Sequence, residues 1–201
     1  MLSIIIPCFG SEPFLPTLMA EISRCVSEPF EILIQSEIGL GYAVMCGVKR
    51  SKGEYILVCD SDGSHNPKYI SEMLWLARNG HDIVIGSRYI KGGGTQDSFS
   101  REMISRVYCL FAQVLFRLEI KDNMSGFILV KRQVFLLYPI DVYGFKFGLD
   151  LLVRSKKYCS VVEYPFVFEA RKLGVSKASP MEALRTLKLI LKLCAHVKGK
   201  S

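Results

Sequence analysis

No stretch of this 201-residue chain reaches the roughly 18 to 20 unbroken apolar residues that cross a bilayer, although half of its residues are hydrophobic. A spanning helix is therefore not expected. The opening MLSIIIPCFG has no charged leader ahead of a long apolar core and reads as a first strand rather than a signal peptide, which sets the expected location in the cytoplasm. Cys-x-x-Cys pairs are missing. The seven cysteines are odd in number and scattered, with Cys8, Cys59, Cys109 and Cys194 in apolar surroundings, which argues against a disulfide framework or a zinc site. Repeats, low-complexity tracts and linkers are also missing, and the length suits a single domain built on one core. Acid is the scarcer charge: 19 Asp and Glu against 26 Lys and Arg leave a net charge of +7. Such a balance favours anionic partners, whether nucleotides, an acidic membrane surface or nucleic acid. Nucleic acid drops out because the basic residues gather in the C-terminal half without the signature of any recognition module.

What the chain does contain is alternation. Residues 3–9 (SIIIPCF) read as a strand, 15–26 show helical spacing, 31–35 (EILIQ) form a second strand, and GLGYAVMCGVKR is a glycine-led turn running into a helix. Residues 54–59 (EYILVC) make a third strand, 67–79 a helix, and 82–86 (DIVIG) a further strand. Strands that read as continuous apolar runs between helices imply a mostly parallel sheet covered on both faces, an α/β fold. Downstream, 101–118 reads as a helix with a very broad apolar face (Met103, Ile104, Val107, Tyr108, Phe111, Val114, Leu115). Strands follow at 127–130 and 161–168, separated by the helix-like FGLDLLVRSKKY. Residues 180–198 form an amphipathic helix with Arg185, Lys188, Lys192 and His196 on one side and Leu184, Leu187, Leu191 and Cys194 toward another.

In α/β sheets of this kind ligands bind beyond the carboxyl ends of the strands, which is where PCFG, QSEIGLG, DSDG and GSRY fall. The third strand delivers LVCDSDGSHNPK, with two aspartates at i and i+2. On an extended segment their carboxylates point the same way and repel unless a positive charge lies between them. Asp60 and Asp62, with Ser64 nearby, offer hard oxygen donors suited to Mg²⁺ or Mn²⁺, ions that complete their shell with phosphate oxygens and water. The alternative is that both aspartates cap turns. His65 could reach the metal or cap the following turn. Gly39 and Gly41 let backbone N–H groups approach a phosphate or a sugar, or mark an ordinary turn; no Gly-Lys-Ser follows, so this is not a Walker loop.

Taken in order, IIIPCFGSE, GLGYAVMCGVKRSKGEYILVCDSDGSHNP, GSRYIKGGG, SREMIS, DNMSGF and VEYPFVFEARKLGVSK resemble the polyprenyl-phosphate (dolichyl-phosphate) mannose synthases of the inverting family 2 glycosyltransferases. The resemblance implies a GT-A (Rossmann-like) fold whose residues 1–95 bind a nucleotide-sugar and whose residues 96–201 form the acceptor side. It implies transfer of a hexose, mannose from GDP-mannose in the first instance, to a polyprenyl phosphate, with Mg²⁺ or Mn²⁺ as cofactor. An acceptor that is already a phosphate anion needs positioning cations more than a strong base.

By that resemblance Asp60, Asp62 and Ser64 hold the metal, and Pro7, Phe9, Glu12, Gln35, Gly39, Gly41, Ser61 and Arg88 line the nucleotide-sugar. Arg88, Arg101, Ser105, Arg171 and Lys177 take the acceptor phosphate, with Arg101 and Arg171 counted with the aspartates as catalytic. Asp150 is read as a helix-face acid or one that orients an arginine. The protein is expected at the cytoplasmic face of a membrane, held by the apolar face of 103–115 and the basic helix 184–197 or by a membrane-anchored partner subunit. One departure from the family stands out. EILIQ passes through SEIG straight to LGYAV where relatives insert an acidic loop, a helix and a strand, and this removes the usual acidic contact to base or ribose. Gln35 or Glu37 would substitute. Two readings therefore stay beside the first: a UDP-glucose or other UDP-sugar transferase, and a catalytically weak nucleotide-sugar-binding subunit.

Overall fold

The apolar run at the start of the chain becomes an inner strand because both of its faces are covered. In the computed structural model, which describes residues 1–8, 13–37, 39–140, 146–170 and 180–198, β1 (Leu2–Pro7) lies between two parallel neighbours and is buried along its whole length. Its crossover α1 (Leu15–Cys25) leads to β2 (Phe30–Gln35), and α2 (Leu40–Arg50) leads to β3 (Tyr55–Val58). A 3-10 turn (Pro67–Tyr69) and α3 (Ile70–Arg78) precede β4 (Ile83–Ser87). Then follow β5 (Gly94–Thr95), α4 (Phe99–Phe116), β6 (Ile128–Lys131), α5 (Arg132–Leu137), α6 (Phe147–Ser155), β7 (Val161–Pro165), β8 (Val167–Phe168) and α7 (Pro180–Lys198).

The main sheet has the order β2-β1-β3-β6-β4-β7. Pairings β1 with β2, β1 with β3 and β4 with β7 are parallel, whereas β6 is antiparallel to both β3 and β4. Alternation along β1 sends Leu2, Ile4 and Ile6 to one side, against Leu18 and Ile22 of α1 and Ile70, Met73 and Ala77 of α3. Ile5 goes to the other, against Val44 and Val48 of α2, with Phe135 of α5 and Leu151 and Leu152 of α6 beyond. Gly47 lets α2 come this close, since a Cβ there would lie 2.8 Å from Ile5 side-chain carbons. The expected helices on both faces are thus present.

The apolar stretch 161–168 does not form one strand. Phe166 donates its N–H to Ser87 O while its own carbonyl accepts from Gly94 N–H, so the chain leaves the main sheet after Pro165 and pairs as β8 with β5 in a two-stranded sheet. The shortening after the second strand is real: β2 ends at Gln35 and α2 begins at Leu40. The seven cysteines form no disulfide.

α4 and α7 meet α6 in a third cluster. Cys109, Ala112 and Phe116 of α4 pack there with Leu149 and Val153 of α6 and Leu189, Ile190 and Leu193 of α7. Only that narrow stripe of α4 is covered. Phe99, Met103, Ile104, Val107, Leu110, Phe111, Val114 and Leu115 all face solvent, at 41–77% exposure. On α7, Leu187 and Leu191 are exposed as well, because the buried stripe runs through Leu189, Ile190 and Leu193. Among the described residues no helix is long and apolar enough to cross a membrane.

Candidate active site

Asp60 follows β3 directly, beyond the buried Cys59, so the strand's end aims it out of the sheet. Its backbone N–H donates to His65 Nδ1 at 3.0 Å. An accepting Nδ1 puts the ring proton on Nε2, which faces Asp60 Oδ2 at 3.8 Å. The imidazole is buried, stacked on Phe127 with ring centroids 4.8 Å apart and edged by Phe166 and Phe168. His65 is therefore a prop that fixes Asp60, neither a metal ligand nor a turn cap; the cap is Asn66, whose Oδ1 accepts from Lys68 N–H. The Asp60 carboxylate itself is 37% exposed.

Asp62 takes the turn-making role that its sequence left open. Its Oδ1 accepts from Ser64 N–H (3.0 Å) and from Ser64 Oγ–H (2.6 Å), a turn that holds the carboxylate in one orientation. Two carboxylates at the mouth of the sheet, one oriented by a turn and one half-exposed, fit a hard divalent cation. Ser64 departs from the expected ligand role, because its side chain is fully buried and its hydroxyl proton goes to Asp62. Among the described residues no third His, Cys, Asp or Glu joins to make a closed metal cluster. An ion here would take the rest of its shell from water and phosphate oxygens. Ser61, between the two acids, is buried.

Arg88 also departs from expectation. Its Nε and Nη2 each donate at 2.7 Å to the two oxygens of Asp122, and its backbone N–H adds a third bond at 2.9 Å. Asp122 is fully buried and the guanidinium only 12% exposed. Burial alone would lower the arginine's pKa, but the hydrogen bonds and charge of Asp122 outweigh it and raise the value. Nη2 reaches Ser105 Oγ on α4 as well (3.3 Å). A guanidinium so committed braces the loop after α4 against the end of β4, and this replaces the phosphate contact assigned to Arg88 and the independent one assigned to Ser105. Glu163 of β7 extends the brace by accepting from Lys121 N–H and Asp122 N–H, both at 2.9 Å. The same loop backs Asp60, since a Cβ on Gly126 would lie 4.0 Å from Asp60 Oδ1. Beside Asp122, burial and then the carboxylate push the Cys109 thiol up to about 11.

Lys146 is a residue that sequence reasoning passed over. It precedes α6, and burial pushes its pKa down, with the Arg88 charge adding to that and the Asp122 and Asp60 carboxylates opposing it. A lone lysine in KFGLD gave no signal of this. Asp150, 1% exposed, accepts from Arg154 Nε at 2.5 Å, the arginine-orienting role expected of it.

At the other end of the sheet's carboxyl edge, Pro7 lies opposite Gln35 in register. Gly39, at φ 103°, opens α2, and Gly41 is buried in its first turn. Arg101 stands in the first turn of α4, half-exposed and 3.8 Å from Asp97. Phe9, Glu12, Arg171 and Lys177 lie outside the described residues.

The model of the family described as "Glycosyl transferase family 2" matches residues 21–137. The chain belongs to family 2. It is 35% identical over 160 residues to the dolichol-phosphate mannosyltransferase of Pyrococcus furiosus, covering 78% of this chain and 45% of that protein. It is 36% identical over 152 residues to the polyprenol monophosphomannose synthase of Mycolicibacterium smegmatis, covering 72% and 57%. The chain spans about half the length of these curated relatives. Among solved structures, glucosyl-3-phosphoglycerate synthase of Mycobacterium tuberculosis, in complex with Mn²⁺, UDP and glucosyl-3-phosphoglycerate, superposes with a TM-score of 0.69 at 15% identity over 97% of this chain and 80% of that one. Likeness at that identity speaks for the fold, and the family 2 fold is the GT-A architecture expected from the motifs.

Proposed function

We propose that this family 2 chain is a metal-dependent inverting transferase that moves a hexose, mannose from GDP-mannose, onto the phosphate of a polyprenol at a membrane surface. The observation that carries the reading is the oriented Asp60 and Asp62 pair at the end of β3. Their carboxylates would hold Mg²⁺ or Mn²⁺, which when bound neutralises charge gathering on the departing diphosphate. The chain's own parts do the rest. His65 fixes Asp60 and Ser64 fixes Asp62. Arg101, exposed at the head of α4, positions the incoming phosphate, which attacks the anomeric carbon without needing a base. The names of the sequence relatives favour mannose and a lipid phosphate.

A lipid acceptor needs a route, and α4 offers one. Eight large apolar side chains exposed along one helix are more than a solvated surface carries without purpose, and Leu187 and Leu191 of α7, flanking the exposed Lys188, extend the pattern with charge suited to anionic headgroups. Val107→Glu and Val114→Glu should release the protein from anionic vesicles in flotation while leaving thermal stability within about 0.5 kcal/mol, as exposed substitutions do. Unchanged flotation would leave a membrane-anchored partner subunit as the way to the lipid. The direct test of the reaction is transfer of radiolabel from GDP-mannose to a short polyprenyl phosphate with Mn²⁺. A labelled lipid product is expected. Label transferred only from UDP-glucose would favour the UDP-sugar reading, and tight donor binding without transfer would favour a binding subunit.

A further inference from the structure

After the chain leaves the main sheet at Pro165, each of its next four residues meets the segment that follows Asp62. Phe166 and Phe168 edge the His65 ring, Val167 donates its N–H to Tyr69 Oη at 3.2 Å, and Glu169 donates its own to Ser64 O at 3.1 Å. The Glu169 side chain adds a further contact, its Oε1 accepting from Asn66 Nδ2 at 2.7 Å across 103 positions of sequence. Asn66 is thereby held at both ends of its amide, since its Oδ1 accepts from Lys68 N–H to cap the 3-10 turn. The far side of Glu169 is held as well. Gln96 N–H reaches Phe168 O at 2.9 Å, and Gln96 Oε1 accepts from Ala170 N–H at 2.8 Å. Ser64, gripped through its carbonyl by Glu169, is the residue whose N–H and hydroxyl orient the Asp62 carboxylate.

We infer that Glu169 is a positioning residue for the Asp62 carboxylate: by holding Asn66 through its side chain and Ser64 through its backbone, it keeps the turn in the shape that takes a divalent cation. This rests on the reading of Asp60 and Asp62 as a metal site. Gly63, at φ 80° between Asp62 and Ser64, is a pliable link in that turn, and Glu169 limits it from outside. Groups that stand behind a metal ligand fix its direction, and losing one weakens metal binding by about 10- to 100-fold. What Asn66 needs from position 169 is an acceptor. An amide oxygen supplies one as a carboxylate does, with a somewhat weaker bond. The inference therefore separates the bond from the charge.

The test is Mn²⁺ binding to the full chain, read from the paramagnetic resonance of the free ion, with thermal melts to confirm folding. The proteins compared are the unaltered chain, Glu169→Ala, Glu169→Gln, Asn66→Asp, and Asn66→Asp paired with Glu169→Gln. Glu169→Ala is expected to weaken Mn²⁺ about tenfold. Glu169→Gln, whose Oε1 still accepts from Asn66, should stay within about threefold of the unaltered chain. Asn66→Asp sets a second carboxylate against Glu169 and should weaken the ion about tenfold, although it adds negative charge. The pair restores one donor and one acceptor with their places exchanged, at the net charge of the unaltered chain, and should recover binding to within about threefold. This rescue covers the case in which alanine fails to fold. Unchanged affinity in Glu169→Ala, a loss as large in Glu169→Gln as in Glu169→Ala, or a pair no better than Asn66→Asp alone would overturn the positioning role while leaving the metal site in place. No Mn²⁺ bound by the unaltered chain would overturn both.

Discussion

Asp62→Asn is expected to cut sugar transfer at least about a hundredfold, the scale on which charge-stabilising groups act at a reacting centre, with the melting temperature almost unmoved. The separation is possible because the two jobs proposed for Asp62 have distinguishable chemistry. Its Oδ1 accepts from Ser64 N–H and Oγ–H to shape the turn, and an asparagine carbonyl accepts those same two bonds. What asparagine lacks is the negative charge that a divalent cation needs. Asp62→Ala would remove both jobs at once, so its loss of activity would say less. The check is turnover against Mn²⁺ concentration beside a thermal melt. Near-normal activity in the asparagine variant would take Asp62 out of any metal site and return it to turn-making alone.

Asp122→Ala is expected to be strongly destabilising. It strands the Arg88 guanidinium, 12% exposed, without the carboxylate that receives three of its bonds. Removing one member of a buried ion pair costs about 3–5 kcal/mol, which for a chain of this size lowers the melting temperature by roughly 10 °C. The paired replacement Arg88→Met with Asp122→Leu should recover much of that, because neither charge is left buried alone. Denaturant unfolding of the three proteins tests this. If Arg88 instead served chiefly to hold phosphate, the single variant would melt normally and lose activity only. The loop that the pair braces also backs Asp60 through Gly126, so a loosened brace should also disturb the setting of Asp60.

The contrast between these two predictions follows what the sequence made legible. The placement of Asp60 and Asp62 could be read because it is local: two acids at i and i+2 after an apolar strand fall just beyond that strand's carboxyl end. The strands and crossover helices of the first half could be read for the same reason, since burial on both faces leaves unbroken runs such as SIII and YILV. Arg88 could not be read correctly. Its partner lies 34 residues away, and nothing in GSRY or DNMSGF separates an arginine that meets phosphate from one that meets a buried aspartate.

Direction was equally hidden in β6. An apolar FILV suits a parallel or an antiparallel neighbour, and only the path of the chain through α4 decided it. The broad apolar face of α4 was visible as composition, whereas which of its residues would be covered depended on α6 and α7; the buried stripe turned out to be Cys109, Ala112 and Phe116, with Met103, Val107 and Val114 outside. Lys146 emerges only from what surrounds it.

The most direct test of the central claim is anomalous scattering from crystals grown with Mn²⁺ and a nucleoside diphosphate. The account predicts one manganese peak about 2.0–2.3 Å from carboxylate oxygens of Asp60 or Asp62, with the diphosphate completing its shell and Ser64 still bonded to Asp62. A nucleotide bound in the cleft with no manganese at either aspartate, or manganese held elsewhere on the chain, would contradict it.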